Sequence, residues 1–537
     1  MAMPNTRNLF LASVGCTGFL LTFYPTVFSG FERMQPDAGD VVLNNYFLEH
    51  TYRWAFDRNY ACSFWSPSFF TPTPDTFTYS ETLIGTAPLY WLLRTGFSEP
   101  VSCQLWIMIT YGLNFMALAT VLRWFGVNTV LTAAGAFVFA FGLIRTDHLA
   151  HQQLMPQYFS PFAVWYAWGF LREPSARRWG LLIGLAAIQV FASLHLGWFL
   201  GLGLMVFVGI GFVAEAGSFR RVRAFVRAHP LSIVMPLLIA GLLLGMYARN
   251  FYRGAPSTRS YWEAEAYTPS PDGWFVSPPG SIWADHLTPR GVEEFPEKML
   301  FPGFTLYGAF LVAGWLAWRR PFPERRLVLA CLGTSAILML LVTRWGHNFS
   351  LWYFVHQLVP GANAFRAVGR LVFAIHLFGT IGGLLGLQEF LRQNVSVPTR
   401  RGVIYALVAL LIVIEQVRVE PESFDKRKLM YGPARELAMH MNGADAAYVV
   451  YDASMPDYRH QITAMWAGMW ARTPVMNGFS GTQPKGYPAL EERPTLEDLV
   501  RLLGREWRGK LAIIEWGPPI RRRVYNVRDG QATPVSD

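Results

Sequence analysis

The chain has 537 residues, 52% of them hydrophobic, 15% aromatic and only 15% charged. An average soluble domain carries about 25% charged residues, so this composition excludes an ordinary soluble globular protein. The formal net charge of +10 does not point to nucleic acid, because the basic residues lie in short loops between apolar runs and not in one stripe.

Apolar runs near the length of about 20 residues that a helix needs to cross hydrocarbon recur at 8–28, 101–122, 129–145, 154–171, 179–194, 197–215, 231–249, 303–318, 327–343, 370–391 and 402–418. The fold expected is an all-α polytopic membrane protein of eleven spans with a small C-terminal α/β domain. The first run lacks a small-residue cleavage site and reads as a retained anchor. The region 179–215 reads either as a hairpin turning at Ser193-Leu-His-Leu-Gly197 or as one long tilted helix.

Alternate loops carry Arg123; Arg172, Arg177 and Arg178; Arg220, Arg221, Arg223 and Arg227; Arg319, Arg320, Arg325 and Arg326; and Arg392, Arg400 and Arg401. An excess of arginine marks cytoplasmic loops. The expectation is therefore a cytoplasmic N-terminus, with loops 29–100, 250–302 and 344–369 and the C-terminal segment outside. Residues 1–419 form the membrane domain and 420–537 an extracytoplasmic α/β domain. The bacterial inner membrane is the expected location.

The first outer loop opens with Gln35-Pro-Asp-Ala-Gly-Asp40, followed by a helix expected from Val41 along the membrane surface, with Leu43, Phe47 and Trp54 as its apolar face. Asp40 suits the N-cap of that helix and Asp37 its dipole. The same two carboxylates, at a membrane boundary, suit acid–base chemistry on a lipid-linked substrate. Asn44 lies one turn further on. Glu81, at the end of Pro72-Thr-Pro-Asp-Thr-Phe-Thr-Tyr-Ser-Glu81, reads either as a helix-start carboxylate or as a further acid near the site.

Between the third and fourth spans stands Arg145-Thr-Asp-His-Leu-Ala-His-Gln-Gln153. On a helix Asp147 and His151 share a face, with His148 beside them and Gln152 next in line. Such a set binds a metal, or a phosphate and sugar hydroxyls; a polar turn between two helices is the plain reading. Arg366 and Arg370, in Leu358-Val-Pro-Gly-Ala-Asn-Ala-Phe-Arg-Ala-Val-Gly-Arg370, are expected one helical turn apart at headgroup depth. Two guanidiniums there suit a phosphate or pyrophosphate, or snorkel to lipid headgroups.

From about residue 420 charge rises and long apolar runs stop. Ala447-Tyr-Val-Val-Tyr451 and Leu511-Ala-Ile-Ile-Glu515 read as strands, and 433–441 and 495–506 as helices. Asn477-Gly-Phe-Ser-Gly481 reads as a loop whose Asn477, with Tyr487, either contacts a sugar or acceptor or simply builds a turn. The four cysteines show no metal or disulfide spacing. No GxGxxG, Walker or HExxH motif is present, which leaves nucleotide hydrolysis and zinc proteolysis unsupported.

One span, an acidic outer loop, many further spans and an outer C-terminal domain together resemble the GT-C superfamily of integral-membrane glycosyltransferases. That superfamily includes the protein O-mannosyltransferases and the aminoarabinose transferases, and the chain is most similar to a poorly characterised bacterial GT-C-like group. The stretches that carry the resemblance are Pro36-Asp-Ala-Gly-Asp40, Thr78-Tyr-Ser-Glu-Thr-Leu-Ile-Gly85, Phe139–His151, Phe301-Pro-Gly303, Pro360–Arg370 and Pro474-Val-Met-Asn-Gly-Phe-Ser-Gly481.

The resemblance implies transfer of a sugar from a polyprenyl-phosphate donor to a glycan, lipid or protein acceptor outside the cytoplasm, among membrane lipids. By the same analogy Asp40 or Asp37 is the base, and Arg366 and Arg370 hold the phosphate. His148, His151 and Gln152 position donor or metal, while Glu81, Asn44 and Asn477 contact acceptor or sugar. Some relatives use a divalent cation; for Mg or Mn the candidate ligands here are Asp37, Asp147 and His151. A lipid or glycan transporter or flippase, or a non-catalytic envelope assembly protein, is the competing reading. Against transport stands the near absence of ionisable residues within the spans, Glu415 being the main exception.

Overall fold

The structure is a computed structural model and describes residues 6–254, 259–288, 295–346, 349–418, 421–490, 492–517 and 519–535. Each of the eleven apolar runs coincides with helix. Among the described residues seven helices are long and apolar enough to cross a membrane: Thr6–Phe28, Glu99–Trp124, Thr129–Asp147, Leu194–Ala214, Pro230–Asn250, Arg325–Val342 and Val368–Asn394. The protein is thus a multi-pass helical membrane protein.

The remaining four runs form the shorter helices Ser160–Arg172, Ala176–Ala192, Phe304–Arg319 and Pro398–Gln416. Residues 179–215 are two helices broken at Ser193, which leaves helical dihedrals and whose hydroxyl accepts from the Leu196 N–H to cap the second. A serine at such a break satisfies a backbone donor that the helix itself leaves orphaned.

The chain divides into two compact units. The first comprises Met1–Tyr24, Ile107–Leu242 and Thr258–Pro421. At its centre the helix Val372–Asn394 is buried along nearly all its length. Glycines allow that closeness: a Cβ at Gly386 would lie 2.3 Å from the Cβ of Ala313. Small residues let helix backbones approach where lipid supplies no hydrophobic drive.

The second unit comprises Pro25–Trp106, Leu243–Ser257 and Glu422–Asp537. The loop 29–100 therefore belongs with the C-terminal segment. A four-stranded sheet runs in the order Ala446–Val450, Gly509–Glu515, Arg521–Arg528, Gln531–Pro534. Its first pair is parallel, with Ala447 opposite Ala512, and the rest is an antiparallel ribbon. Helix Leu496–Leu503 starts with a capping box between Thr495 and Asp498 and lays Leu499 and Leu503 on Leu511, Tyr448 and Val527.

The helix after the aspartates, Asp40–Phe56, departs from expectation. It is no surface helix: Val41 through Thr51 are all buried. Tyr46 packs edge-on against Phe69 and Trp466, and the Trp466 Nε1–H donates to the Val42 carbonyl at 3.2 Å. Polar side chains on the same helix are buried because each finds a partner. Asn45 donates to the Tyr431 hydroxyl at 2.7 Å, and Glu49 accepts from Arg53, Arg94 and Tyr90 at 2.9, 2.7 and 2.9 Å. A charge buried this deeply is tolerated only when paired and hydrogen-bonded.

Candidate functional site

In the second unit the helix starts one residue earlier than a cap at Asp40 would require. Gly39 is the N-cap residue and Asp40 is the first helical residue. Asp37 Oδ1 accepts the Gly39 N–H at 2.6 Å. A side chain at Gly39 would displace the Asp37 carboxylate, since a Cβ there would meet Asp37 Oδ1 at 2.8 Å and the Tyr458 ring at 3.2 Å. Both aspartates are half-buried. Burial, followed by the charges of Asp37 and Asp40, raises the pKa of the Tyr458 phenol, which places the two carboxylates within electrostatic reach of that ring. Asn44 spends its amide on the Asp40 carbonyl at 2.7 Å.

Two other predicted residues belong to neighbouring loops of this unit. Glu81 is buried, and the adjacent Ser80 hydroxyl lies 2.7 Å from that of Ser480 and accepts from the Gly481 N–H at 3.0 Å. Asn477 acts locally as a strand partner. It accepts from the Val449 N–H at 2.7 Å and donates to the Val449 carbonyl at 2.9 Å and to Gln461 Oε1 at 3.0 Å. Three of the four hydrogen-bonding places of its amide are thereby filled. The Tyr487 hydroxyl donates to the Thr71 carbonyl at 2.6 Å.

In the first unit the turn 143–157 is built around Arg145. Its buried guanidinium donates to the carbonyls of Phe139 at 2.6 Å and Met155 at 3.0 Å and to Gln157, between the rings of Phe139 and Phe373. This pins both ends of the turn. Asp147 pairs with Arg418 at 3.3 Å. His148 is fully buried, Gln152 is buried and His151 half-buried.

The His148 Nδ1–H donates to the Ile144 carbonyl at 2.9 Å, while its Nε2 has no hydrogen-bond partner among the described residues. Burial lowers the His148 pKa to about 4, with Glu297 acting in the opposite sense and Arg370 and His151 adding to the fall. The imidazole is therefore neutral at pH 7, with its Nε2 lone pair available.

Glu297 is the residue that sequence reasoning missed. It stands in a short 3-10 turn, Pro296–Lys298, and accepts from Arg370 Nε at 2.9 Å. Both side chains are nearly buried, 4% and 10% exposed. Burial alone would raise the Glu297 pKa. The positive Arg370 guanidinium, with His148 and His151, overrides it and holds the carboxyl down at about 2. The backbones also touch closely, for a Cβ at Gly369 would come within 2.3 Å of the Glu297 carbonyl oxygen. In sequence Glu297 is one of three acids in Glu293-Glu-Phe-Pro-Glu297, a mixed-charge loop without spacing to single it out. The structure thus brings Arg370, His148 and His151 together around a carboxylate.

Arg366 and Arg370 do not share a helix face. Ala367 leaves helical dihedrals, at φ −85° and ψ 69°, and a 3-10 turn spans Val368–Leu371. Arg366 is exposed over the Tyr267 ring, 5.7 Å from its centroid, whereas Arg370 is buried. A second residue that sequence reasoning missed, Arg259, stands beside Arg366. Its N–H donates to the Asn363 carbonyl at 2.9 Å. Burial first, and then repulsion from Arg366, lowers the Arg259 pKa, with Glu263 only partly opposing. Arg259 also pairs with Glu263 at 3.8 Å, and guanidiniums set close together are of the chemistry that takes anionic oxygens.

Among the described residues no group of three or more His, Cys, Asp or Glu side chains has metal-holding geometry. Asp147, one of the three suggested ligands, is engaged with Arg418.

No family model and no curated protein matches the chain. Two solved structures are similar to it over most of its length. One is the crystal structure of ArnT from Cupriavidus metallidurans bound to undecaprenyl phosphate, 13% identical, with 98% of this chain and 96% of that chain covered and a TM-score of 0.48. The other is the same protein in the apo state, 11% identical, with the same coverage of each chain and a TM-score of 0.37.

Proposed function

We propose that the protein is a membrane glycosyltransferase that takes a sugar from a polyprenyl-phosphate donor and transfers it to an acceptor hydroxyl on the extracytoplasmic face of a bacterial inner membrane. The observation that carries this reading is the exposed Arg366 over the Tyr267 ring, with Arg259, itself paired with Glu263 at 3.8 Å, within electrostatic reach of it. Like charges repel at close range, and a phosphate relieves that repulsion as it gains charge on becoming a leaving group. Arg366 and Arg259 hold the donor phosphate. Arg370 stands one layer behind, fixed by Glu297, and His148 and His151 complete the polar surround that orients the donor.

Asp40 is the base, and Asp37 keeps the helix start in place through Gly39. In the transfer Asp40 takes the proton of the acceptor hydroxyl. The acceptor oxygen bonds to the anomeric carbon as the bond from that carbon to the phosphate oxygen breaks. The electron pair leaves on polyprenyl phosphate.

The test uses the purified full-length protein with radiolabelled polyprenyl-phosphate sugars and a panel of acceptors. Asp40→Asn should lower transfer by about 10²-fold or more, the usual contribution of a general base. Arg366→Gln should raise KM for the donor. Transfer undiminished in Asp40→Asn removes the base from this reading. Movement of the intact donor across liposomes without bond cleavage identifies a transporter instead.

A further inference from the structure

Within the first unit the arginine-rich loop ends enclose a cavity of about 730 Å³. Its lining combines Arg172, Arg178, Arg325 and Arg326 with Glu173, Glu215 and Glu324, and one wall is formed by Trp124, Phe125 and Trp165. The volume falls in the range of roughly 300–1,000 Å³ usual for small-molecule sites. The charges do not cancel. Glu215 is shared between Arg221 at 3.4 Å and Arg326 at 3.3 Å, and Glu173 is taken by Arg178 at 2.8 Å. Arg172 is exposed and has no carboxylate within ion-pair distance among the described residues.

We infer that this cavity seats the phosphodiester headgroup of an anionic phospholipid. The site lies where three membrane-length helices end or begin, at Trp124, Ala214 and Arg325, which sets it at headgroup depth. The Trp124 and Trp165 rings lie 5.3 Å apart, tilted at 49°, and Phe125 meets Trp165 edge-on at 4.7 Å. Trp124 remains 47% exposed. Indoles belong at the boundary between chain and headgroup, and basic pockets between membrane helices take anionic headgroups. A free anion in solution would use the guanidiniums and leave the aromatic wall idle, whereas a lipid uses both. The inference stands apart from the sugar-transfer reading, because none of these residues takes part in it.

The test compares the full-length protein with Arg172→Gln/Arg326→Gln, and with Arg172→Gln alone, which touches no structural partner. Each is purified in detergent with phosphatidylglycerol or phosphatidylcholine and examined by native mass spectrometry and by thermal melting in nanodiscs. Wild type should retain phosphatidylglycerol about tenfold better than phosphatidylcholine, and phosphatidylglycerol should raise its melting temperature. Both variants should lose that preference while melting like wild type in phosphatidylcholine. Equal retention of the two lipids by wild type, or an undiminished preference in both variants, overturns the proposal. Displacement of phosphatidylglycerol by inorganic phosphate at equal concentration overturns it in favour of a soluble-anion site.

Discussion

Glu297 and His148 make the acid side of the stability curve readable at single residues. The folded Glu297 carboxyl, held at about 2 against an ordinary 4.5, adds stability that is fully present above the unfolded value and is lost as pH falls from about 4.5 through 2. The folded His148 imidazole, held at about 4 against 6.5, resists a proton that the unfolded chain accepts, so its contribution is lost as pH falls from about 6.5 to 4. Melting temperature should therefore decline in two stages on acidification, and His148→Asn should make the first shallower without removing it, since burial lowers His50 and His460 in the same sense. Glu297→Gln strands the buried Arg370 charge and should cost on the order of 3 kcal/mol at pH 7, read as a lower melting temperature.

The aspartates separate by the same logic. Asp37→Asn keeps an oxygen that can accept the Gly39 N–H and should cost less than about 1 kcal/mol. Asp40 is the first helical residue and not the N-cap, so Asp40→Asn should cost less than about 1 kcal/mol in the melt while removing transfer. A matched loss of transfer in Asp37→Asn, with an unchanged melt, would move the base to Asp37.

At the scale of elements, the helices were legible because a membrane demands long apolar runs, and each expected run is helical. The strands expected at 447–451 and 511–515 and the helices expected at 433–441 and 495–506 stand at 446–450, 509–515, 432–439 and 496–503, whereas the helix Asp457–Ala471 and the strands Arg521–Arg528 and Gln531–Pro534 were not expected. The helix Asp40–Phe56 was visible in place but not in role. Its buried Asn45 and Glu49 look like a solvent face in sequence, and only Tyr431, Tyr90 and Arg94, far along the chain, turn them inward. The shared face assigned to Arg366 and Arg370 failed because Phe365 to Ala367 are not helical and lie between two short 3-10 turns. Glu297 and Arg259 carry no spacing signal at all, so tertiary structure alone reveals them.

Packing of the central helix is equally specific. At Gly386 an added Cβ would lie 2.3 Å from Ala313 Cβ and 2.7 Å from its Cα. Gly386→Val must push two backbones apart and should cost about 3 kcal/mol, the upper end of ordinary overpacking. Gly308, where a Cβ meets nothing within 4 Å, is the control: Gly308→Ala should melt as wild type does. Equal melting of Gly386→Val and wild type would show that the helices separate freely there.

At the scale of the molecule, the composition of the second unit makes its three segments interdependent. Arg33 and Met34 pair as a short strand with Asp425 and Phe424. The Lys426 ammonium donates to the Phe31 carbonyl and, at 3.0 Å, to Gln104. Trp466 closes over Tyr46, and the Ser68 carbonyl accepts from the Val475 N–H at 2.7 Å. The first outer loop thus borrows much of its core from residues beyond 421. A chain ending at Pro421 removes those partners and leaves Asn45 and a large aromatic surface uncovered, at a cost far beyond the 5–15 kcal/mol by which a typical domain is stable. Limited proteolysis of membranes carrying the truncated chain should cut between residues 40 and 106 within minutes, while the full-length protein resists there and both protect their membrane helices equally. Resistance of that loop in the truncated chain would mean that it holds its own fold. The aspartates would then owe their geometry to the loop alone, and not to the C-terminal segment that now surrounds Asp40–Phe56.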